Sequence, residues 1–465
     1  MITTPLQPHQ KRALEKALKN NLVIAHGMGS GKTLTAIAIA EALGKPTTAL
    51  VPAPTVENFK RELQKHRKGN GVPFDVLSLP TAVSRGIDIP EGNTVILDEA
   101  HAIRNESKRQ QYVKKALEHA GRIIALTGTP AYNSKDDWVP LVNIVARKPV
   151  IPSMEPYVKG RKIKPGFLAR LRGAKPGYTE DFVNRDKFSK DVSPYVDVFD
   201  AKLAEMPDRE DNEVEVPMSA EQKKLYGMVE NRLPYSLLYK LKNNIPPSKS
   251  ESKDLNAFLS GVRQVSNTPQ GFEKKELSLE ELRRDSPKLA KAVDDVKEML
   301  KRNPKARAFL YSNYKESGVF PLAKLLAAEG IKSAIFDGSL SSKVRAQLIN
   351  DYNSGKLPVL LGTGAASEGL NLKRTSLVGI LEPHFNNSRI EQAIARGIRF
   401  QSHSDLPPEE RKVKVNRYYA TFGDKPETWV DKLLGRKNKP SVDIYLKSRA
   451  EEKDKLMQDI KDALR

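Results

Sequence analysis

AHGMGSGKT, residues 25–33, lies between the apolar run NLVIAH (21–26) and the helical pattern LTAIAIAEALG (34–44). Strand, glycine-rich turn and helix, in that order, are what a phosphate-binding loop requires. The glycines let backbone N–H groups close around phosphates, and the N-terminus of the following helix favours negative charge. This assigns Gly29, Ser30 and Gly31 to the cradle, Lys32 to the β and γ oxygens of a nucleotide, and Thr33 to its Mg²⁺. His26 stands where the usual G-x-x-x-x-G-K-[ST] pattern has its first glycine.

Working outward, short apolar runs alternate with helical patterns: NLVIAH, TTALVP (47–52), TVILDEA (94–100) and RIIALTGTP (122–130). Strands separated by helices predict a parallel sheet covered on both faces. The rhythm breaks after about residue 150 and resumes with ARAFLYSN (306–313), KSAIFDG (332–338), PVLLGTG (358–364), SLVGILEP (376–383) and KVNRYYAT (414–421). The expected fold class is therefore α/β, with two lobes flanking a different middle. The boundaries expected are 1–150 for an ATP-binding lobe, 151–200 for a basic insertion, 201–285 for a return segment and helical linker, 286–440 for a second lobe and 441–465 for a C-terminal helix. In that last helix Leu456, Ile460 and Leu464 have helical spacing, which predicts a packing face.

VILDEAH (95–101) ends a strand on two carboxylates. Beside a phosphate loop, Asp98 is suited to hold Mg²⁺ through water and Glu99 to orient and deprotonate the attacking water. In QAIARGIR (392–399), Gln392, Arg396 and Arg399 fall at i, i+4 and i+7, which predicts one face of a helix. The first lobe offers no arginine of its own at the loop. Arg399 is thus read as a finger on the γ-phosphate and Arg396 as a second phosphate contact, with Gln392 beside them on the nucleotide.

Composition sets further limits. Lys+Arg 78 against Asp+Glu 57 leaves a net charge of +21, which suits a polyanionic partner. Seven basic residues and no acidic one lie between Lys159 and Lys175: Lys159, Arg161, Lys162, Lys164, Arg170, Arg172 and Lys175. Punctuated by Pro165, Gly166 and Gly173, that stretch is either a solvated insertion or a phosphate-contacting arm. With no cysteine, disulfides and thiolate chemistry are excluded, and the histidines show no paired metal-ligand spacing. The one metal expected is the magnesium that accompanies ATP. No signal-peptide core or long apolar run is present, so a soluble protein of the cytoplasm is expected.

The succession Gln10, GSGKT, VPAPTVENFKREL (51–63), DEAH (98–101), LTGTP (126–130), FDGS (336–339), EGLNL (368–372) and QAIARGIR resembles the superfamily 2 helicases. DEAHAIRNESK (98–108), LTGTPAYNSKDDW (126–138), MSAEQKKLY (218–226) and VRQVSNTP (262–269) are similar, more narrowly, to the Swi/Snf branch. RFQSHSDLPPEERKVKV (399–415) with SVDIYL (441–446) is similar to helicase-like ATPases of poxviruses, other large DNA viruses and phages. The resemblance implies two RecA-like lobes. It also implies adenine recognition by Gln10, a place for Gly369 where the second lobe closes on nucleotide, and coupling of hydrolysis to DNA through His101, Thr127 and Thr129.

The function so implied is an ATP-dependent motor, monomeric and nearly bare of accessory domains, that moves on double-stranded or branched DNA without sequence preference. Fork or four-way-junction remodelling and branch migration would be its work. Two other readings stay open: a single-strand DNA or RNA helicase, and a viral transcription-associated ATPase that works with a polymerase.

Overall fold

The structure is a computed structural model that describes residues 2–27, 29–69, 71–128, 130, 134–200, 206–272, 276–364, 370–399, 402–423 and 439–465. The chain divides into one compact unit of residues 1–159, 180–204 and 455–465 and a second of residues 160–179 and 205–454. Among the described residues no helix is long and apolar enough to cross a membrane.

Fourteen strands are described: β1 (Leu22–His26), β2 (Thr47–Val51), β3 (Phe74–Ser78), β4 (Thr94–Leu97), β5 (Arg122–Leu126), β6 (Val158–Ile163), β7 (Gly177–Phe182), β8 (Val196–Phe199), β9 (Asp208–Pro217), β10 (Arg307–Tyr311), β11 (Ser333–Phe336), β12 (Val359–Gly362), β13 (Thr375–Ile380) and β14 (Lys412–Thr421). The first unit holds a sheet in the order β3-β2-β4-β5-β1-β8, parallel at every pairing. β1, β2 and β4 are buried at every residue, as strands covered on both faces must be. The helix Lys32–Leu43 lies against the sheet through Ala36, Ile37, Ile39 and Ala40. On the opposite core lie Val113, Leu117, Trp138 and Leu141.

Two boundaries expected from sequence need correction. β8 lies within the stretch assigned to a basic insertion, yet it pairs in parallel with β1 from Val23↔Val196 to His26↔Phe199. Its buried Val196 and Val198 supply the apolar face that claims it for the first sheet. β9 lies within the stretch assigned to a return segment and helical linker, yet it is the edge of the second sheet, β11-β12-β10-β13-β14-β9. It runs parallel to β14 through ten residues, Asp208↔Lys412 to Pro217↔Thr421. Its outward acidic side chains leave a charged edge, which discourages pairing with other chains.

The remaining linker residues form a helical layer of their own. Leu225, Tyr226, Leu237, Leu241, Leu255 and Val262 pack with Val442, Tyr445 and Leu446 from the start of the final helix, Val442–Asp462. That helix also carries a fully buried ion pair, Lys288 Nζ to Asp443 Oδ2 at 2.7 Å. Its last turns belong to the first unit, where Leu456, Ile460 and Leu464 enter the core with Phe188, Val192 and Val196.

Candidate nucleotide site

The loop after β1 is shaped by its glycines. Gly29 and Gly31 both have φ 78°, a left-handed conformation that any side chain would strain. At Gly31 a Cβ would also lie 2.7 Å from Gln10 Nε2. The helix Lys32–Leu43 begins directly after Gly31, so its first N–H groups face the loop. Lys32 Nζ donates to the carbonyls of His26 and Gly27 at 3.0 and 3.1 Å. Thr33 is half-buried on the same first turn.

The loop is braced from behind by residues that sequence reading did not single out. His9 Nε2 is 3.0 Å from the Ser30 carbonyl, and its ring stacks on Phe199 with centroids 3.8 Å apart. Gly27 N–H donates to the Phe199 carbonyl at 2.7 Å. Gln10, expected at the adenine, is buried: its Oε1 accepts from Gln7 N–H at 2.8 Å and its Nε2 donates to the Gly31 carbonyl at 3.2 Å. Each end of that amide keeps capacity for one further hydrogen bond.

His26, in the place of a glycine, belongs to a buried network. Its Nε2–H donates to Asp197 Oδ2 at 2.8 Å, and neither side chain is more than 1% exposed. Arg12 and Lys16 reach the other oxygen at 2.9 and 3.1 Å. Burial pushes Asp197 up, but hydrogen bonds from His26 and Arg12 and the charge of Lys16 hold it well below the usual carboxylate range. Burial lowers His26, which stays neutral beside an ionised Asp197. The cue in sequence was the His-for-Gly exchange, which demanded a partner on the neighbouring strand.

Both groups titrate below their unfolded values, so the unfolded chain takes up protons first as pH falls. Their contribution to stability is present at neutral pH. It is lost downward from about pH 6.5 for His26 and from about pH 4 for Asp197. Asp197→Leu is expected to lower the stability of the first unit by about 3 kcal/mol, because His26 loses its acceptor and two cations lose their partner. The check is the denaturant midpoint of wild type and variant at neutral pH and near pH 4. An unchanged midpoint at neutral pH would show that the network contributes nothing.

β4 delivers Asp98 and Glu99 beside this loop. Asp98 N–H donates to the Leu50 carbonyl at 2.9 Å, which continues the sheet to the point where the chain turns. Glu99 turns it with φ 49° and ψ 50°, a left-handed conformation that costs a non-glycine residue about 1 kcal/mol or more. Glu99 N–H donates to Asp98 Oδ1 at 2.9 Å, and Glu99 Oε2 lies 3.2 Å from His101 Nδ1. Burial, then the charge of Glu99, raises the Asp98 carboxyl, while Lys32 opposes the rise. A hydroxyl at Thr33 and a carboxylate whose ionisation asks for a nearby cation are hard oxygen donors, and they fit Mg²⁺ arriving with phosphate. Thr127, at the end of β5, is fully buried, and its N–H donates to the Ile24 carbonyl at 3.1 Å. Thr129 and Gly369 lie outside the described residues.

In the second unit, Gln392 is buried and Arg396 half-buried on the helix Asn387–Gly397. Arg399 does not share that helical face, because the helix stops at Gly397 and Ile398 is extended at φ −123°. Gly397 is pressed against β13, where a Cβ would sit 3.0 Å from Val378 Cγ2 and 3.1 Å from Thr375 Cγ2. Beyond it, Arg399 N–H donates to Ser402 Oγ and its Nε to the Ala395 carbonyl, each at 3.2 Å. β9 helps to set this helix: Arg209 donates to Glu391 at 2.7 Å, and Arg417 of β14 donates to the same carboxylate at 2.7 Å.

The expected basic residues are exposed on the β6–β7 hairpin: Lys159, Arg161, Lys162, Lys164, Arg170, Arg172 and Lys175. They do not belong to one unit, since Lys159 falls in the first and the other six in the second.

Two parallel α/β units, one with a phosphate loop, a catalytic-type carboxylate pair and the strand order above, define a nucleoside-triphosphate-hydrolysing motor. The SNF2-related domain model matches residues 73–271, and the helicase conserved C-terminal domain model matches residues 291–401. A protein of Acanthamoeba polyphaga mimivirus, described as a putative ATP-dependent RNA helicase, is 30% identical over 90% of this chain and 89% of its own length. The termination factor NPH-I homolog of African swine fever virus (isolate Tick/Malawi/Lil 20-1/1983) is 24% identical over 96% of this chain and 75% of its own. The SWI2/SNF2 ATPase core of Sulfolobus solfataricus, solved in complex with dsDNA, covers 99% of this chain and 97% of its own at 17% identity. Its TM-score of 0.39 is too low for that likeness to decide anything. The chain belongs to the SNF2-related helicases and is a nucleic-acid-dependent ATPase.

Proposed function

We propose that this ATPase is a translocase on double-stranded or branched DNA. It would hold the phosphate backbone without reading sequence and would serve fork remodelling or branch migration. What carries the reading is a hydrolytic constellation in a chain whose 73–271 stretch is SNF2-related, joined to seven exposed basic side chains on one hairpin. Domain organisation follows the same reading: an ATP-binding lobe, a basic hairpin, a helical layer and a second lobe that contributes arginines.

In this scheme the backbone N–H groups of Gly29, Ser30 and Gly31 and the Lys32 ammonium hold the phosphates of ATP. Thr33 and Asp98 would hold Mg²⁺, which supplies charge neutralisation to the leaving phosphates. Glu99 takes the proton of the attacking water. Gln392 and Gly369 would bind nucleotide, Arg399 would meet developing charge on the γ-phosphate, and Arg396 would add a second contact. Gln10 senses the base through the capacity its buried amide retains. Because its Nε2 also holds the Gly31 carbonyl, it ties base recognition to the phosphate loop. His101, through its contact with Glu99, Thr127, beside β1, and Thr129 would transmit the state of the site to DNA. A soluble, cytoplasmic, monomeric motor fits these roles.

The mimivirus relative's name favours RNA as a second reading, and the NPH-I homologs favour a transcription role with a polymerase. ATPase rate measured without nucleic acid and with single-stranded DNA, duplex DNA, a four-way junction or RNA at one salt concentration separates them. Strong stimulation by duplex or junction is expected. Stimulation by RNA or single strands alone would replace the duplex reading, and retention of polymerase subunits by the purified protein would promote the transcription reading.

For the hairpin, replacing the seven basic residues with glutamine is expected to weaken duplex binding at low salt. The plot of log affinity against log salt should flatten by about 0.9 for each phosphate that is no longer neutralised. Equal affinity and slope in wild type and variant would mark the hairpin as a solvated insertion.

A further inference from the structure

Between β6 and β7 the chain turns through a short helix, Phe167–Leu171, whose outward side chains are either basic or large and apolar. Phe167, Leu168 and Leu171 are 66, 71 and 70% exposed, whereas the other exposed large hydrophobics among the described residues reach only 38–49%. Single exposed hydrophobes are ordinary on a surface, but three adjacent ones at this exposure call for a ligand.

The backbone that displays them is fixed. Ala169 and Ala174 are 8 and 6% exposed on the inner side. Arg170 N–H donates to the Gly166 carbonyl at 3.1 Å, and Ala174 N–H to the Ala169 carbonyl at 2.9 Å. Lys175 N–H donates to Ser236 Oγ at 2.9 Å, which anchors the end of the turn. Gly177 is packed so closely that a Cβ would meet the Pro246 carbonyl at 2.8 Å. The apolar side chains are thus held away from their own fold.

Their setting selects the ligand. Lys164, Arg170 and Arg172 flank the apolar group with no acidic side chain between Lys159 and Lys175, so the partner is anionic. Phosphates alone would need only the cations, and a fully stacked duplex hides its base faces. Aromatic and apolar side chains between cations match nucleic acid with unstacked bases, where rings cover base faces and cations meet the flanking phosphates.

We propose that the Phe167–Leu171 turn contacts unpaired nucleobases at the junction between duplex and single strand. Phe167 stacks on a base, Leu168 and Leu171 cover its edge, and Lys164, Arg170 and Arg172 hold the adjoining phosphates. The proposal rests on the reading of the hairpin as a phosphate-contacting arm.

The test uses the full chain and two labelled DNAs of equal length, a fork with unpaired arms and a blunt duplex, titrated at several salt concentrations. Phe167→Ala combined with Leu171→Ala is expected to weaken fork binding about tenfold, to change duplex binding less than about twofold and to keep the salt slope. Phe167→Trp should bind the fork like wild type. A second variant, Lys164→Gln with Arg170→Gln and Arg172→Gln, is expected to weaken both DNAs and flatten the salt slope. If the charge variant behaves so while the apolar variant binds the fork like wild type, base contact is wrong and the phosphate reading stands. If neither variant alters binding, both readings fall. If the apolar variant loses only adhesion to anionic phospholipid vesicles, the turn is a lipid contact and the proposal is overturned.

Discussion

Glu99→Gln is expected to lower nucleic-acid-stimulated ATP turnover by about 10²–10⁴-fold while ATP and DNA still bind. The substitution keeps size and hydrogen bonding but removes the proton acceptor. Glu99 is held where an ordinary strand end would not place it, in a left-handed backbone conformation directly after β4. Its N–H closes on Asp98 Oδ1 at 2.9 Å, and its charge raises the Asp98 carboxyl. Strain of this kind persists where the surrounding structure enforces it, which here is the junction of a buried strand with a tight helical turn. Steady-state turnover with duplex DNA, together with separate nucleotide and DNA titrations, checks the prediction. Turnover equal to wild type would remove Glu99 from the role of general base, and loss of ATP binding would make it a structural residue of the site.

Arg399→Ala carries the other large expectation, a fall in kcat of about 10³-fold with little change in ATP affinity. An arginine that meets charge developing on a transferred phosphoryl group acts in the transition state, so its loss appears in kcat more than in KM. Arg399→Lys should recover little, because a point charge does not reproduce the planar fork of guanidinium. Arg399 stands beyond the helix end and donates to the Ala395 carbonyl, whereas Arg396 lies in the last turn. Arg396→Ala is therefore expected to cost less. If Arg396→Ala causes the larger loss in kcat, the two roles are exchanged; if neither variant slows turnover, the second lobe does not supply the finger.

Much of this fold was legible because parallel strands buried on both faces are nearly pure apolar runs. NLVIAH, TTALVP, TVILDEA and RIIALTGTP became β1, β2, β4 and β5, and the five runs after residue 306 became β10 to β14. Strands that are not buried on both faces escaped. FDVLS of β3 is mostly half-buried, and DREDNEVEVP of β9 shows its inner face only at Asn212, Val214 and Val216. β8 was hidden by a neighbouring basic stretch, since VDVF is a short run with the network carboxylate Asp197 in its middle. In the candidate site, the placement of Lys32 at the start of the helix after the loop and of Asp98 and Glu99 directly after β4 was legible from local motifs. The brace of His9, Phe199 and Asp197 was not, because partners joined by sheet pairing leave no spacing signal. Arg399 was assigned to a helix face by periodicity, and Gly397 broke that periodicity by close packing on β13.

The division of the chain into units also sets a timetable for making the protein. The first unit's core includes Leu456, Ile460 and Leu464, and the second sheet cannot be completed at β9 until β14 has been synthesised. At about 5–20 residues per second, translation from β8 to Leu456 lasts on the order of 10–50 s. Through that interval the apolar face around Phe188, Val192 and Val196 lacks its final cover. A ribosome that stalled before β14 would therefore hold two incomplete cores, and one that stalled just before residue 456 would hold a complete second unit together with a first that still lacks Leu456, Ile460 and Leu464.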